Sequence, residues 1–258
     1  MCIGRRESIM ATSPLIEAVV ANNIGECRRL LETEEGMETI DDRDQNEEEF
    51  HRNRLSRDHI YRDRPTGLTA LMHACKDGYL NIAELLLSKG AVVDRRDIKE
   101  RYTALMMASR HNHFEIAKLL IFEVGGAEVD LGDEHGWTAL HYTSIEGNLE
   151  ISELLTSSGA DVNIRSKYGF TALHRASYYG RLEIVQLLLC QGADMSIRDN
   201  DGDTALDLAS YNDHLKVANC LRKWPWTMAI IALKEDLAVY HLLDAWTLID
   251  LWQYLGTQ

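Results

Sequence analysis

Very few residues in this chain are spaced for chemistry. His111 and His113 stand two apart, where they could share a metal ion. A zinc site needs three or four ligands, however, and no third donor follows at a workable spacing. The pair reads instead as a solvated turn between helices. Five cysteines (Cys2, Cys27, Cys75, Cys190 and Cys220) are scattered and form no C-x-x-C pair. Four of them fall in helix-like segments at positions expected to be small and buried, the usage of a reducing compartment. No glycine-rich phosphate loop, H-E-x-x-H or G-x-S-x-G pattern occurs. Carboxylates are plentiful but fall on outward faces, with no apolar pocket to raise a pKa. A chain of this kind is expected to have no catalytic residue, cofactor or metal, and not to be an enzyme.

The 258 residues are 45% apolar and 26% charged, as in a soluble folded protein. A net charge of −14 argues against nucleic acid, whose phosphates demand clustered Lys and Arg, and against an anionic membrane surface. Met1 to Ser13 carries Arg5 and Arg6 but no apolar stretch behind them, so no secretory signal is read there. The best apolar run, Met228 to Leu233, falls far short of the ~18 residues of a membrane span. Cytoplasm or nucleus is the expected location.

What positions these residues is a phrase repeated five times. Thr-Ala-Leu begins at Thr69, Thr103, Thr138, Thr171 and Thr204, at intervals of 34, 35, 33 and 33 residues. Self-similarity at such a period marks a stack of small units, which offers an extended surface and no reaction chamber. In the fourth unit, Leu173 and Ala176 recur three apart, giving a short helix that Gly180 ends. Ile184, Leu187 and Leu188 mark one face of a second helix, ended by Gly192. Met195 to Asp203 is polar and contains Gly202, as expected of a projecting turn. Two antiparallel helices and a finger make one unit.

These features resemble the ankyrin repeat, with its T-P-L-H-x-A signature in a 33-residue unit. Thr138-Ala-Leu-His141 and Thr171-Ala-Leu-His174 match it best, with Ala in place of Pro. Gly78, Gly147 and Gly180 occupy the turn between helices, where the second and fifth units carry Asn112 and Asp213. The second unit departs through an insertion at Gly125-Gly126 and through Arg101, where a finger glycine is usual. The resemblance covers roughly 69–223 and implies an all-α solenoid of helix-turn-helix units with projecting β-turn fingers. It also implies that His141 and His174 are structural, bonding into the neighbouring turn. Asn163, in Asp161-Val162-Asn163, resembles the pattern on which ankyrin asparagines are hydroxylated, but an asparagine there also serves the turn itself.

Residues 13–40 read as a divergent N-terminal unit behind a tail at 1–12, with Ser13-Pro14 as helix cap and first-turn proline. An insertion at 41–66 follows, acidic from Asp41 to Glu49 and then rich in arginine. It reads as a solvated loop, the alternative being a charged arm that closes over a partner. Five units occupy 67–223. Beyond them, 224–258 holds four of the five tryptophans. Pro225 suits the first turn of a helix running to about Leu243, and a second helix is read from Ala245 to Leu255. This segment either caps the stack or recruits a partner. SOCS boxes and F-boxes follow some ankyrin arrays, but Asp236 and Gly256 stand where a SOCS box is hydrophobic.

In ankyrin arrays the ligand lies across the concave face of finger tips and first helices. By register the fingertip positions are Leu68, Tyr102, Trp137, Phe170 and Asp203, with His135 and Tyr168 beside them. The exposed ends of the first helices carry Ile145, Tyr178, Tyr179 and Tyr211. Nine residues are therefore binding candidates: His135, Ile145 and the aromatics at 102, 137, 168, 170, 178, 179 and 211. Large aromatics give contact area at little rotamer entropy and dominate binding hot spots. The expected function is binding of another protein, as adaptor, scaffold or inhibitor. The alternative is a substrate-recognition subunit of a ubiquitin ligase acting through 224–258. An enzyme with its site in the tail is the remote third.

Overall fold

The computed structural model describes residues 13–33, 37–38, 40–41, 67–123 and 126–234; of Glu123 and 226–234 it describes the backbone alone. The tail expected at 1–12, nearly all of the 41–66 insertion and the tail helix expected from Ala245 lie outside the described residues. Among the described residues six helix pairs follow one another. They are α1 (Pro14–Val20) with α2 (Ile24–Leu30), α3 (Ala70–Asp77) with α4 (Leu80–Ser88), and α5 (Ala104–Arg110) with α6 (Phe114–Lys118). Then come α7 (Ala139–Glu146) with α8 (Leu149–Ser157), α9 (Ala172–Tyr178) with α10 (Leu182–Cys190), and α11 (Ala205–Tyr211) with α12 (Leu215–Lys234). First helices pack on first helices and second on second, giving two parallel layers. The chain is an all-α stack, with one continuous core running from Leu15 to Leu221.

The repeated threonine starts each first helix. Thr69, Thr103, Thr171 and Thr204 accept, through Oγ1, the backbone N–H three residues on at 3.3–3.4 Å. That satisfies one of the donors a helix start leaves open. The left-handed residue that ends each first helix is Gly78, Gly147 or Gly180 in three units (φ +80°, +93°, +69°) and Asn22, Asn112 or Asp213 in the other three (φ +51°, +61°, +57°). Asn and Asp tolerate that conformation better than other side chains. Ser13 stands at the start of α1, but its hydroxyl makes no cap bond.

Departures from a 33-residue period have local causes. In three units an alanine N–H closes the second helix on a carbonyl five residues back: Ala91 to Leu86, Ala160 to Leu155, Ala193 to Leu188. In the second unit Ala127 bonds Leu120 instead, seven back, across a π-helical turn at Leu119–Glu123. Those two extra residues make the 35-residue interval. The finger of the second unit closes between Asp97 and Tyr102, five apart, where later fingers close over four. That one extra residue makes the interval of 34, and Arg101 takes the left-handed position (φ +60°) that Gly136, Gly169 and Gly202 occupy elsewhere.

Three local expectations are corrected. Pro225 does not open a helix but lies inside α12, which continues through the end of the repeats. A proline removes one backbone bond while the turns on either side keep theirs. Cys190 is exposed rather than buried, at the last position of α10. Leu68 is buried in the core and offers nothing at a fingertip.

Candidate functional site

Each finger is built on one buried polar side chain. Asp133 accepts the N–H groups of His135 (2.7 Å) and Trp137 (2.9 Å) on Oδ1, and the Tyr142 hydroxyl (2.6 Å) on Oδ2. Asp97 takes N–H bonds from Lys99, Glu100 and Tyr102, and Asp199 from Asp201 and Asp203. Ser166 Oγ accepts from Phe170 N. Fingers so fixed then pair with one another. Glu134 N donates to Glu100 O (2.7 Å), Lys167 N to His135 O (2.9 Å) and Asn200 N to Tyr168 O (3.1 Å). A ladder of backbone bonds thus runs across four finger tips and sets the spacing of the side chains they present.

The signature histidines link first helices to the following finger. His141 Nδ1 accepts from Thr138 N (3.1 Å), so its Nε2 donates, to Phe170 O at 3.0 Å. His174 does the same between Thr171 N and Asp203 O. Burial pushes both imidazoles down, His141 to about 4, so they stay neutral and act as structure rather than as acids or bases. His113 uses Nε2 on the carbonyl of Lys76 (3.0 Å), which takes that nitrogen out of any metal pair with His111. Among the described residues no group of three His, Cys, Asp or Glu side chains converges.

Two further sets of links between units were not foreseen. After four of the left-handed turns the next residue reaches back to the previous first helix: His113 to Lys76 O, Asn148 to Ser109 O, Arg181 to Ile145 O, His214 to Tyr178 O. On the other edge, Asp41, Asp94, Asp130 and Asn163 each accept a backbone N–H from the next unit, from Val92, Glu128, Asp161 and Asp194. Asn163 therefore performs the junction duty that aspartates perform elsewhere in the stack. Asp41, the first residue of the insertion, makes the same junction.

Tyr168, Tyr178, Tyr179 and Tyr211 are exposed; Tyr102, His135, Trp137, Ile145 and Phe170 are half-buried. His135 meets Tyr168 across adjacent fingers at 5.7 Å between ring centres, with Glu100 at 3.8 Å on its other side. Tyr178 and Tyr179 pack edge to face at 5.0 Å. Tyr142, absent from the sequence-based candidates, sits beneath Tyr102 (5.9 Å) and Trp137 (6.2 Å). Burial drives its phenol well above the usual range, and it donates to Asp133 as a neutral group. The other residue the sequence reading missed is Arg175. Its guanidinium lies 4.3 Å from the Trp137 ring centre, 5.3 Å from Phe170, 5.6 Å from Tyr178 and 5.1 Å from Tyr179. A signal was available: Tyr142 and Arg175 both fall four residues after the signature threonine, one helical turn in and on the finger side.

Stacked helix pairs with laddered fingers and an aromatic inner face define a class of repeat that presents a surface rather than a pocket. A family model described as ankyrin repeats (3 copies) matches residues 5–97, 48–133, 105–199 and 165–230. The chain belongs to the ankyrin-repeat family and is a protein–protein interaction module. It is similar to the Ankyrin repeat and SAM domain-containing protein 6 of Mus musculus, 37% identical over 93 residues, which are 35% of this chain and 10% of that protein. It is also similar to the Probable E3 ubiquitin-protein ligase XBOS33 of Oryza sativa subsp. japonica, 40% identical over 91 residues, 34% of this chain and 17% of that protein. Glycerophosphocholine phosphodiesterase gde1 of Schizosaccharomyces pombe is 34% identical over 87 residues, 34% of this chain and 8% of that protein. The chain spans less than a fifth of the length of each of these relatives. Among the described residues no helix is long and apolar enough to cross a membrane.

Proposed function

We propose that this chain binds a partner protein across the finger tips and first helices of its second to fifth units, as an adaptor, scaffold or inhibitor, without catalysing a reaction. The observation that carries the reading is the band of Trp137, Phe170, Tyr178 and Tyr179 around Arg175, which joins the third and fourth units and keeps two tyrosines exposed. Trp, Tyr and Arg are the residues in which binding energy concentrates. Exposed tyrosines such as Tyr211 (71% exposed) extend the band to the fifth unit. Such a protein would act where its partner is, in cytoplasm or nucleus.

The test uses partners recovered with the full chain from its native cell and then purified. Replacing Tyr178 by Ala is expected to weaken binding by about 2 kcal/mol, roughly thirtyfold, with the thermal midpoint unchanged. Unchanged affinity in a folded variant would remove this face from consideration. A second reading, a substrate-recognition subunit of a ubiquitin ligase acting through 224–258, is supported by the printed name of the rice relative. Because α12 runs to Lys234, the fair comparison is the full chain against one ending at Lys234. Recovery of a cullin complex by the full chain alone would favour that reading; equal recovery of the same partners by both would dismiss it.

A further inference from the structure

Arg175 is an unusual cation for this molecule. Arg165, Arg181 and Arg198 each donate to backbone carbonyls, and Arg29 pairs with Glu26. Arg175 has four aromatic rings around it and one hydrogen bond, from Nη2 to the Tyr179 hydroxyl at 3.3 Å. Its Nε is sealed from water with no partner, and no carboxylate pairs with it among the described residues. Asp133, the acidic group beneath the neighbouring Trp137, is buried and committed to two N–H groups and the Tyr142 hydroxyl. Ring faces offset part of the charge of a desolvated guanidinium, but Trp and Phe supply no lone pair for its N–H groups. A cation held this way gains most from an anion brought by something else, because loss of water strengthens the pairing.

A second guanidinium lies over the next ring of the same cluster. Arg110 lies 5.7 Å from the Tyr142 ring centre, and Tyr142 lies 6.2 Å from Trp137, on which Arg175 stacks. Two cations flanking one aromatic pair suit a run of chain carrying two carboxylates rather than a single terminal one.

Resting on the reading of this face as the partner-binding surface, we propose that its occupant is an acidic segment of the partner, one Asp or Glu side chain seated on Arg175 and a second near Arg110. The net charge of −14 opposes such a partner at long range, so the attraction is one of contact. At physiological ionic strength, where charges are screened beyond ~8 Å, contact terms dominate.

The probe is a phage-displayed library of random 16-residue peptides, selected on the full chain at physiological salt. Selected peptides are then synthesised with amidated C-termini, and their affinity is read by fluorescence polarisation. The expected result is enrichment of Asp and Glu. Arg175→Gln should weaken binding at least tenfold and Arg175→Lys less. Changing the key peptide Asp to Asn should have little further effect on Arg175→Gln, as for two halves of one contact. Should Arg175→Gln not fold, Arg175→Lys and the peptide Asp→Asn change still read the contact. Peptides without acidic enrichment whose binding falls on Tyr178→Ala would overturn the carboxylate assignment and leave the face standing. Peptides indifferent to both substitutions, or no selected peptide at all, would overturn both.

Discussion

The first two units and the next two share a backbone but are joined by different chemistry. Three residues into their first helices, units one and two carry Met72 and Met106, whereas units three and four carry His141 and His174. Met72 offers a thioether to Thr69 N at 3.5 Å, a weak acceptor that ends the contact inside its own unit. Each histidine satisfies the same N–H and then spends its second nitrogen on the carbonyl of the following finger. The aromatic band and Arg175 lie where this stitching is found. Fingers held to helices by buried side chains present their rings with less entropy left to lose on binding, which is how a preorganised face gains affinity.

The comparison breaks most sharply at the finger glycines. Gly169 sits at φ +82°, and a Cβ there would meet Asn200 N at 2.8 Å and Arg165 Nη2 at 2.9 Å. Gly169→Ala should therefore cost about 3 kcal/mol, read as a lowered urea midpoint, through left-handed strain plus collision with the next finger. A midpoint within error of the parent would mean that the finger ladder contributes little.

Next comes the stitch itself. His141→Met copies the chemistry of the first two units, gives the Thr138 N–H a weaker acceptor and takes from the Phe170 carbonyl one of its two donors, the Ser166 N–H remaining, an expected loss of about 2 kcal/mol at pH 7.5. The pH dependence sharpens the test. Burial lowers the His141 pKa from 6.5 to about 4, so between those values the unfolded chain binds more protons than the folded one. This contribution is complete above pH 6.5 and drains away as the pH falls toward 4, in total about 3 kcal/mol. Urea midpoints at pH 7.5, 6 and 5 should converge for His141→Met and the parent; parallel curves would show that His141 is not held neutral.

The smallest effect runs the other way. Arg101 takes at φ +60° the conformation that glycine holds in later fingers. Arg101→Gly should stabilise the chain by about 0.5 kcal/mol, the relief of strain being partly offset by a more flexible unfolded chain. A loss of stability would show that the Arg101 side chain holds its finger.

Much of this architecture is legible in one dimension. The Thr-Ala-Leu phrase announces the cap that Thr69, Thr103, Thr171 and Thr204 make, because a cap needs only a hydroxyl and an N–H three residues away. Asn112 and Asp213 stand in for glycine at left-handed turns for an equally local reason. Pro225 misled for the same locality: it favours a helix start by rule, and the neighbouring turns overrode it. The candidate tyrosines could be assigned to a side by register alone, but their surroundings could not.

Composition and period determined on their own that helix pairs would stack and that one edge would carry rings, since capping, turns and apolar spacing act over a few residues. Only the stacked structure decided that Arg175 would stand among four aromatics from two units, that Tyr142 would lie beneath Trp137, and that Asn163 would continue a series begun by Asp41. Arg175 to Trp137, Asp41 to Val92 and Asn163 to Asp194 join residues about a repeat or more apart in the chain. The nearer contacts, such as Arg175 to Phe170 and Tyr142 to Trp137, cross from a finger to a helix, so their geometry exists only once fingers and helices have packed.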